Sequence, residues 1–326
     1  MLNLTSAFDS PRWIEITSGL WILLLFALAI ALNGLTMGVY VKYPKMVNVT
    51  SFFTVAIITN GLLSSALGYI PVIIAEFSGH WLVHMSEDSC IAEALIVYYF
   101  GCSSMFLHVC IAYIRYQGIV ALPTSNAPVE KWRVALAFGA CQLLSLVLAV
   151  SPLLGLGAYG LEAHGTSCGL AWNDRSRAGL GYLILIGTVC YVFPVTFMCV
   201  CYVQIVKTVH QSSVRVIPAS SEAMIKRRRK QIHLVKISLG LVLAFVVSWT
   251  PYAIVSFYTV FANPHALDPI LTRSAAWLAK TEVIWNPLVY ALLDKSFRRK
   301  MEKLMSSNRN LQGHTCKENG TGGGVD

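Results

Sequence analysis

The sequence predicts an all-α membrane protein: a bundle of seven transmembrane helices followed by a short amphipathic helix on the cytoplasmic side. Three observations predict it. The 326-residue chain is 56% hydrophobic and 13% charged, with a mean hydropathy of +0.61, whereas charged residues make up about 25% of an ordinary soluble protein. Seven apolar stretches, near 17–42, 50–76, 89–118, 132–154, 178–206, 233–258 and 269–291, each suit the roughly 20 residues that cross a bilayer core. Basic residues are also distributed one-sidedly. Of 25 Lys and Arg, Arg12, Arg175, Arg177 and Arg273 fall on one face, Lys280 lies within the membrane, and the remaining 20 lie opposite, including Lys226-Arg227-Arg228-Arg229-Lys230. The positive-inside rule makes that basic face cytoplasmic and the N-terminus extracellular.

Residues 1–16 are the extracellular N-terminus, with a glycosylation sequon at Asn3 (Asn3-Leu4-Thr5). The sequons at Asn48 and Asn319 fall on the cytoplasmic side and should stay unmodified. The first apolar run is as long as a span, which sets it apart from a cleavable signal peptide. Residues 17–293 form the bundle, with two longer loops at 155–177 outside and 208–230 inside, and no repeats. Pro194 in span five lies in the same helix as Tyr202, and span six carries Trp249-Thr250-Pro251-Tyr252; proline kinks let a helix pivot. Lys280 sits inside span seven, where an ammonium costs about 2.5–3.5 kcal/mol on insertion scales. Six residues on comes Asn286-Pro287-Leu288-Val289-Tyr290. Residues 294–305 put Phe297, Met301 and Leu304 on one face among basic residues, which suits a helix on the inner leaflet. The Gly-rich, polar segment 306–326 reads as a disordered cytoplasmic tail.

Six of nine cysteines, Cys102, Cys110, Cys141, Cys190, Cys199 and Cys201, lie in spans and read as small hydrophobes. Cys316 is in the tail. Cys90, at the outer end of span three, and Cys168, in the outer loop, both face an oxidising compartment, so a disulfide between them is expected.

Trp249-x-Pro251-Tyr252, Asn286-Pro287-x-x-Tyr290, Arg115-Tyr116 and the Cys90/Cys168 pair occur together and in order. With them the chain resembles the rhodopsin-like G-protein-coupled receptors over roughly 17–304, and Lys280 narrows the resemblance to the opsins. That resemblance implies retinal, 11-cis or all-trans, held as a Schiff base on Lys280 in a pocket lined by Phe245, Trp249 and Tyr252. A protonated imine buried in apolar surroundings needs a carboxylate nearby. Glu93, about 4.5 Å below Cys90 at helical rise, matches the vertebrate visual-type counterion; Glu162, six residues before Cys168, matches the loop acid of many invertebrate and non-visual opsins. Glu93 is favoured, since a membrane-buried carboxylate needs a cation more than a loop acid does. The competing reading is a plain Lys280–Glu93 ion pair with Glu162 solvated. His108 reads as a core histidine.

The resemblance also assigns the inner switch and coupling positions to Arg115, Tyr116, Tyr202, Asn286, Pro287 and Tyr290. Several positions depart from the family. The acids expected beside Arg115 and at the inner end of span six are Ile114 and Gln231, the span-four tryptophan is Gln142, and the span-two aspartate falls on Gly61, beside Asn60. Span seven instead carries Glu282, expected to restore a carboxylate to the polar pocket walled by Asn33, Ser104, Trp249 and Asn286, or else to sit there protonated and hydrogen-bonded.

The expected function is a non-visual light-sensing opsin. Photoisomerisation would let span six swing outward and activate a heterotrimeric G protein, with arrestin and membrane lipid as further partners. The alternatives are a retinal photoisomerase, given weight by Ile114 and Gln231, and a microbial-type ion pump, which has no need of these receptor motifs. No residue grouping suggests hydrolytic or redox catalysis, a metal site, or nucleic-acid binding.

Overall fold

The computed structural model describes residues 11–79, 86–121, 130–162, 164–214, 222–262 and 267–318; Asn3 lies outside them. Span one is α1 (Arg12–Lys42). Span two runs through α2 (Val49–Ser64), a π turn (Ser65–Tyr69) and α3 (Ile70–Ser78). Span three is α4 (Glu87–Tyr116) with a π turn at its inner end, and span four is α5 (Lys131–Val150) with a 3-10 turn. A two-stranded hairpin, β1 (Tyr159–Leu161) and β2 (Cys168–Leu170), precedes span five, made of α6 (Arg177–Gly187), a π turn (Thr188–Val192) and α7 (Phe193–Val214). Span six is the outer part of α8 (Glu222–Phe261). Span seven is α9 (Pro269–Lys280) and α10 (Glu282–Leu293), and α11 (Lys295–Glu318) follows.

Six of the described helical segments are long and apolar enough to cross a membrane unbroken. Span seven differs because it breaks at Thr281. The Thr281 amide reaches back to the Leu278 carbonyl, and its hydroxyl donates to the same oxygen at 2.6 Å. The amide of Ile284 then bonds to Thr281 O, leaving Lys280 O free for an outside donor.

Both π turns inside spans two and five lie just before a proline, Pro71 and Pro194. Proline brings no N–H to the carbonyl four residues back and its ring crowds that carbonyl, so a wider turn there accommodates it. Helix starts are capped by side chains: Asn48, Ser86, Ser176 and Asp268 accept from backbone amides. Gly79 ends α3 at φ 91°, a left-handed conformation that suits glycine.

Polarity is distributed as lipid requires. Leu136, Leu143 and Leu154 point outward on span four, while Asn33, Asn60, Glu76, Glu93, His108, Glu282 and Asn286 are buried between helices. Gln142, which stands where the family has tryptophan, is bridged across the bundle. Its Oε1 accepts from Tyr99 Oη (2.7 Å) and Ser103 Oγ (3.0 Å), and Asn60 Nδ2 donates to Ser103 Oγ at 2.8 Å.

The hairpin pairs Tyr159 with Leu170 and Leu161 with Cys168, and the Cys90–Cys168 disulfide fastens it to α4. α11 continues to Glu318, past residue 305 where the sequence placed the end of the amphipathic helix. Its Phe297 is fully buried against Tyr40 and Tyr290.

Candidate functional site

Lys280 ends α9 and faces a cavity of about 160 Å³ between the helices. Its Nζ lies 3.9 Å from Glu93 Oε1, and Glu93 is 1% exposed. The other Glu93 oxygen accepts the Cys168 amide at 3.1 Å, so the disulfide-held strand fixes the carboxylate from above. Glu93 Oε1 is buried without a hydrogen-bond donor and is the atom turned to the lysine.

Glu162 also lines the cavity, with both oxygens engaged. Tyr252 Oη donates to one at 2.8 Å and Ser167 Oγ to the other at 3.1 Å. His164 Nε2 is 2.8 Å from Ser167 Oγ and 3.6 Å from Glu162. Burial holds the pKa of this loop histidine down to about 4, against the opposing pull of Glu162 and with the help of Arg273 and Lys280.

Three aromatic residues of span six come together. Phe245 stacks on Trp249 (centroids 6.0 Å) and Trp249 meets Tyr252 edge-on (6.2 Å), all three lining the cavity. A Cβ on Gly101 would come within 3.3 Å of the Trp249 ring, so the missing side chain is what lets that ring lie against span three. Trp172, from the loop, donates to Tyr252 Oη at 3.1 Å.

Glu282 reaches the same cavity, so the expected polar pocket and the lysine site are one space. Asn286 Nδ2 lies 3.4 Å from Glu282 Oε1. Of the other expected walls, Ser104 and Trp249 line this cavity as well. Asn33 donates to Ala29 O and Val283 O, Ser104 Oγ accepts from Asn60 at 3.3 Å, and Trp249 Nε1 has no partner. His108 is fully buried, its Nδ1 on Ser104 O and its ring 5.2 Å from Phe245.

At the inner end, Arg115 is 8% exposed and forms no ion pair among the described residues; its Nε is unpartnered. Tyr202 and Tyr290 lie near enough to act on it electrostatically. Tyr290 Oη is held by Thr54 Oγ1 at 2.7 Å. Tyr116 packs into the apolar cluster that includes Tyr202.

Sequence reasoning missed three contributors. Tyr69 donates to Lys280 O at 2.7 Å, taking the carbonyl freed by the Thr281 break, and Lys280 Nζ lies 5.5 Å from its ring centroid. Glu76, 1% exposed, accepts from Thr166 Oγ1 at 2.8 Å and faces Arg273, which sequence placed simply on the outer side. Arg273 is buried to 2% exposure and donates to His164 O at 3.0 Å. A signal for that pair existed: an acid inside an apolar run, and an arginine two turns before Lys280 on the same helical face. Nothing in the sequence singles out Tyr69.

Residues 32–290 match the profile of the 7 transmembrane receptor (rhodopsin family). Human visual pigment-like receptor peropsin is 24% identical over 274 residues, 84% of this chain and 80% of its own length. The Mizuhopecten yessoensis protein named rhodopsin, GQ-coupled, is 25% identical over 86% of this chain and 58% of its own length. The crystal structure of squid rhodopsin superposes with a TM-score of 0.81 at 21% identity, covering 91% of this chain and 87% of that one, a likeness of fold. The chain belongs to the rhodopsin family of seven-transmembrane receptors, and its likeness within that family is to opsins.

Proposed function

We propose that the chain is a light-sensing, non-visual opsin that holds retinal as a Schiff base on Lys280 and activates a heterotrimeric G protein. The observation that carries this reading is Lys280 Nζ at 3.9 Å from a Glu93 oxygen that no donor satisfies. A cavity lined by Trp249, Phe245 and Tyr252, with Lys280 the one lysine lining it among the described residues, fits an apolar aldehyde. When bound, retinal supplies light absorption and a change of shape. The chain's own residues do the rest. Glu93 stands opposite the cation at Lys280 as main counterion, and Glu162, already hydrogen-bonded twice, is secondary. The hairpin excludes water from above, and Trp249 transmits movement of the cavity wall to the Pro251 kink. Arg115, Tyr202 and Tyr290 form the inner switch. Orientation follows the basic residues, with the N-terminus outside, Asn3 glycosylated, and the basic face toward lipid, G protein and arrestin.

One observation favours a second reading, a retinal photoisomerase with little signalling: Arg115 lacks a carboxylate partner among the described residues. Purified protein incubated with 11-cis and with all-trans retinal should give a visible band that is lost in Lys280→Ala and shifts on illumination. Light-stimulated nucleotide exchange then separates receptor from isomerase. A full band in Lys280→Ala would reject the attachment site.

A further inference from the structure

Two of the span cysteines that the sequence reads as inert touch each other in the cavity wall. Cys102 Sγ on α4 and Cys190 Sγ in the π turn Thr188–Val192 of span five are 3.7 Å apart, and both line the cavity. A second pair, Cys110 and Cys141, is equally close at 3.6 Å but does not line it. Proximity is therefore matched between the pairs, and access from the cavity is what differs. The wall is otherwise largely apolar, which suits a small uncharged oxidant better than a charged one.

We propose that Cys102 and Cys190 form a redox-active dithiol in the cavity wall, which a peroxide converts to a disulfide tying span three to span five. Cys190, the more exposed of the two, attacks the peroxide O–O bond. One oxygen transfers to sulfur to give a sulfenic acid, and the other leaves as water. Cys102 then attacks that sulfur, forming the S–S bond and expelling the second water. Both thiols are oxidised by two electrons in total and one peroxide is reduced. Closing the bond brings the sulfurs from 3.7 Å to about 2.0 Å, a movement within reach of side-chain rotation and a small helix shift. The link fixes span five at its π turn, so its redox state sets whether that turn can move relative to span three.

The test uses the full chain in lipid nanodiscs without ligand, treated with hydrogen peroxide. Free thiols are then blocked, and the protein is digested without reduction for peptide mass mapping. The expected result is a Cys102–Cys190 linked peptide lighter by two hydrogens, with Cys110 and Cys141 recovered as blocked thiols. The oxidised protein should also melt at a higher temperature, a rise absent in Cys102→Ala and Cys190→Ala. Linking of both pairs alike, linking of Cys110–Cys141 alone, or no link at Cys102–Cys190 would overturn the proposal. The wild-type peptide map decides even if a variant fails to fold.

Discussion

Asn33 Nδ2 donates to the backbone carbonyl of Val283 at 2.9 Å, across 250 residues of sequence. The cause lies four residues further on. Pro287 has no N–H to return to Val283 O, so α10 carries an orphan acceptor at membrane depth, and span one supplies the donor. Asn33→Ala should therefore destabilise the protein by about 1–3 kcal/mol, the cost of a buried unsatisfied polar group. Pro287→Ala restores the helix's own donor. Measured by thermal unfolding, the Asn33 penalty should shrink in the Pro287→Ala background; additive effects would refute the coupling.

Glu93→Gln should shift the retinal pigment strongly to the blue at neutral pH, because it removes the one carboxylate oxygen aimed at Lys280. Glu162→Gln should shift it little, since both Glu162 oxygens are committed to Tyr252 and Ser167. Absorption spectra in the dark decide, and the reverse order would make Glu162 the principal counterion.

Tyr69 touches Lys280 twice, and substitutions can separate the contacts. Tyr69→Phe keeps the ring beneath the lysine and loses the bond to Lys280 O; Tyr69→Leu loses both. A desolvated cation–π contact is worth about 2 kcal/mol, so hydroxylamine should bleach the Leu variant in the dark on the order of tenfold faster than the Phe variant. Equal rates would limit Tyr69 to a backbone role.

His164 gives the outer loop an acid sensitivity. Its folded pKa of about 4 lies below the ordinary 6.5, so the folded loop binds fewer protons than the unfolded one. Stability is complete above the ordinary value and falls as pH drops from there toward 4. The groups facing it are Glu162, Arg273 and Lys280. Protection factors in β1 and β2, corrected for intrinsic exchange at each pH, should fall as pH drops through that window and stay flatter in His164→Gln. An identical acid response in both proteins would exclude His164 as its source.

Arg115 without an acid partner should leave dark activity detectable. Ile114→Glu together with Gln231→Glu should lower dark nucleotide exchange, because a carboxylate would give the buried Arg115 the partner it lacks. If a clear light response is accompanied by identical dark rates in the two proteins, the missing salt bridge is irrelevant to the resting state.

The bundle was legible because hydrocarbon imposes its length on each span, and Lys280 and Glu93 because charge in hydrocarbon demands a reason. Cys90 and Cys168 stood out by compartment. The residues that escaped are those whose role depends on which helices touch. Tyr69 is one apolar-looking aromatic among many until the Thr281 break frees a carbonyl beside it. Gln142 reads as a lost tryptophan, yet it joins spans three and four and, through Ser103, reaches Asn60 of span two. Asn33, placed by resemblance around Glu282, serves Val283 instead. Backbone vacancies created by proline and threonine direct Asn33 and Tyr69 to their partners, and residue identity alone does not reveal them.

The break at Thr281 makes span seven two rods on a one-residue joint, with Lys280 on the outer rod and Glu282, Asn286 and Tyr290 on the inner. The joint's oxygen bonds Leu278 of the outer rod, receives Trp285 Nε1 of the inner rod at 3.0 Å, and meets Ser248, the neighbour of Trp249, at 3.2 Å. The two rods therefore share a single side-chain oxygen as their common fastening, and span six is fastened to the same atom.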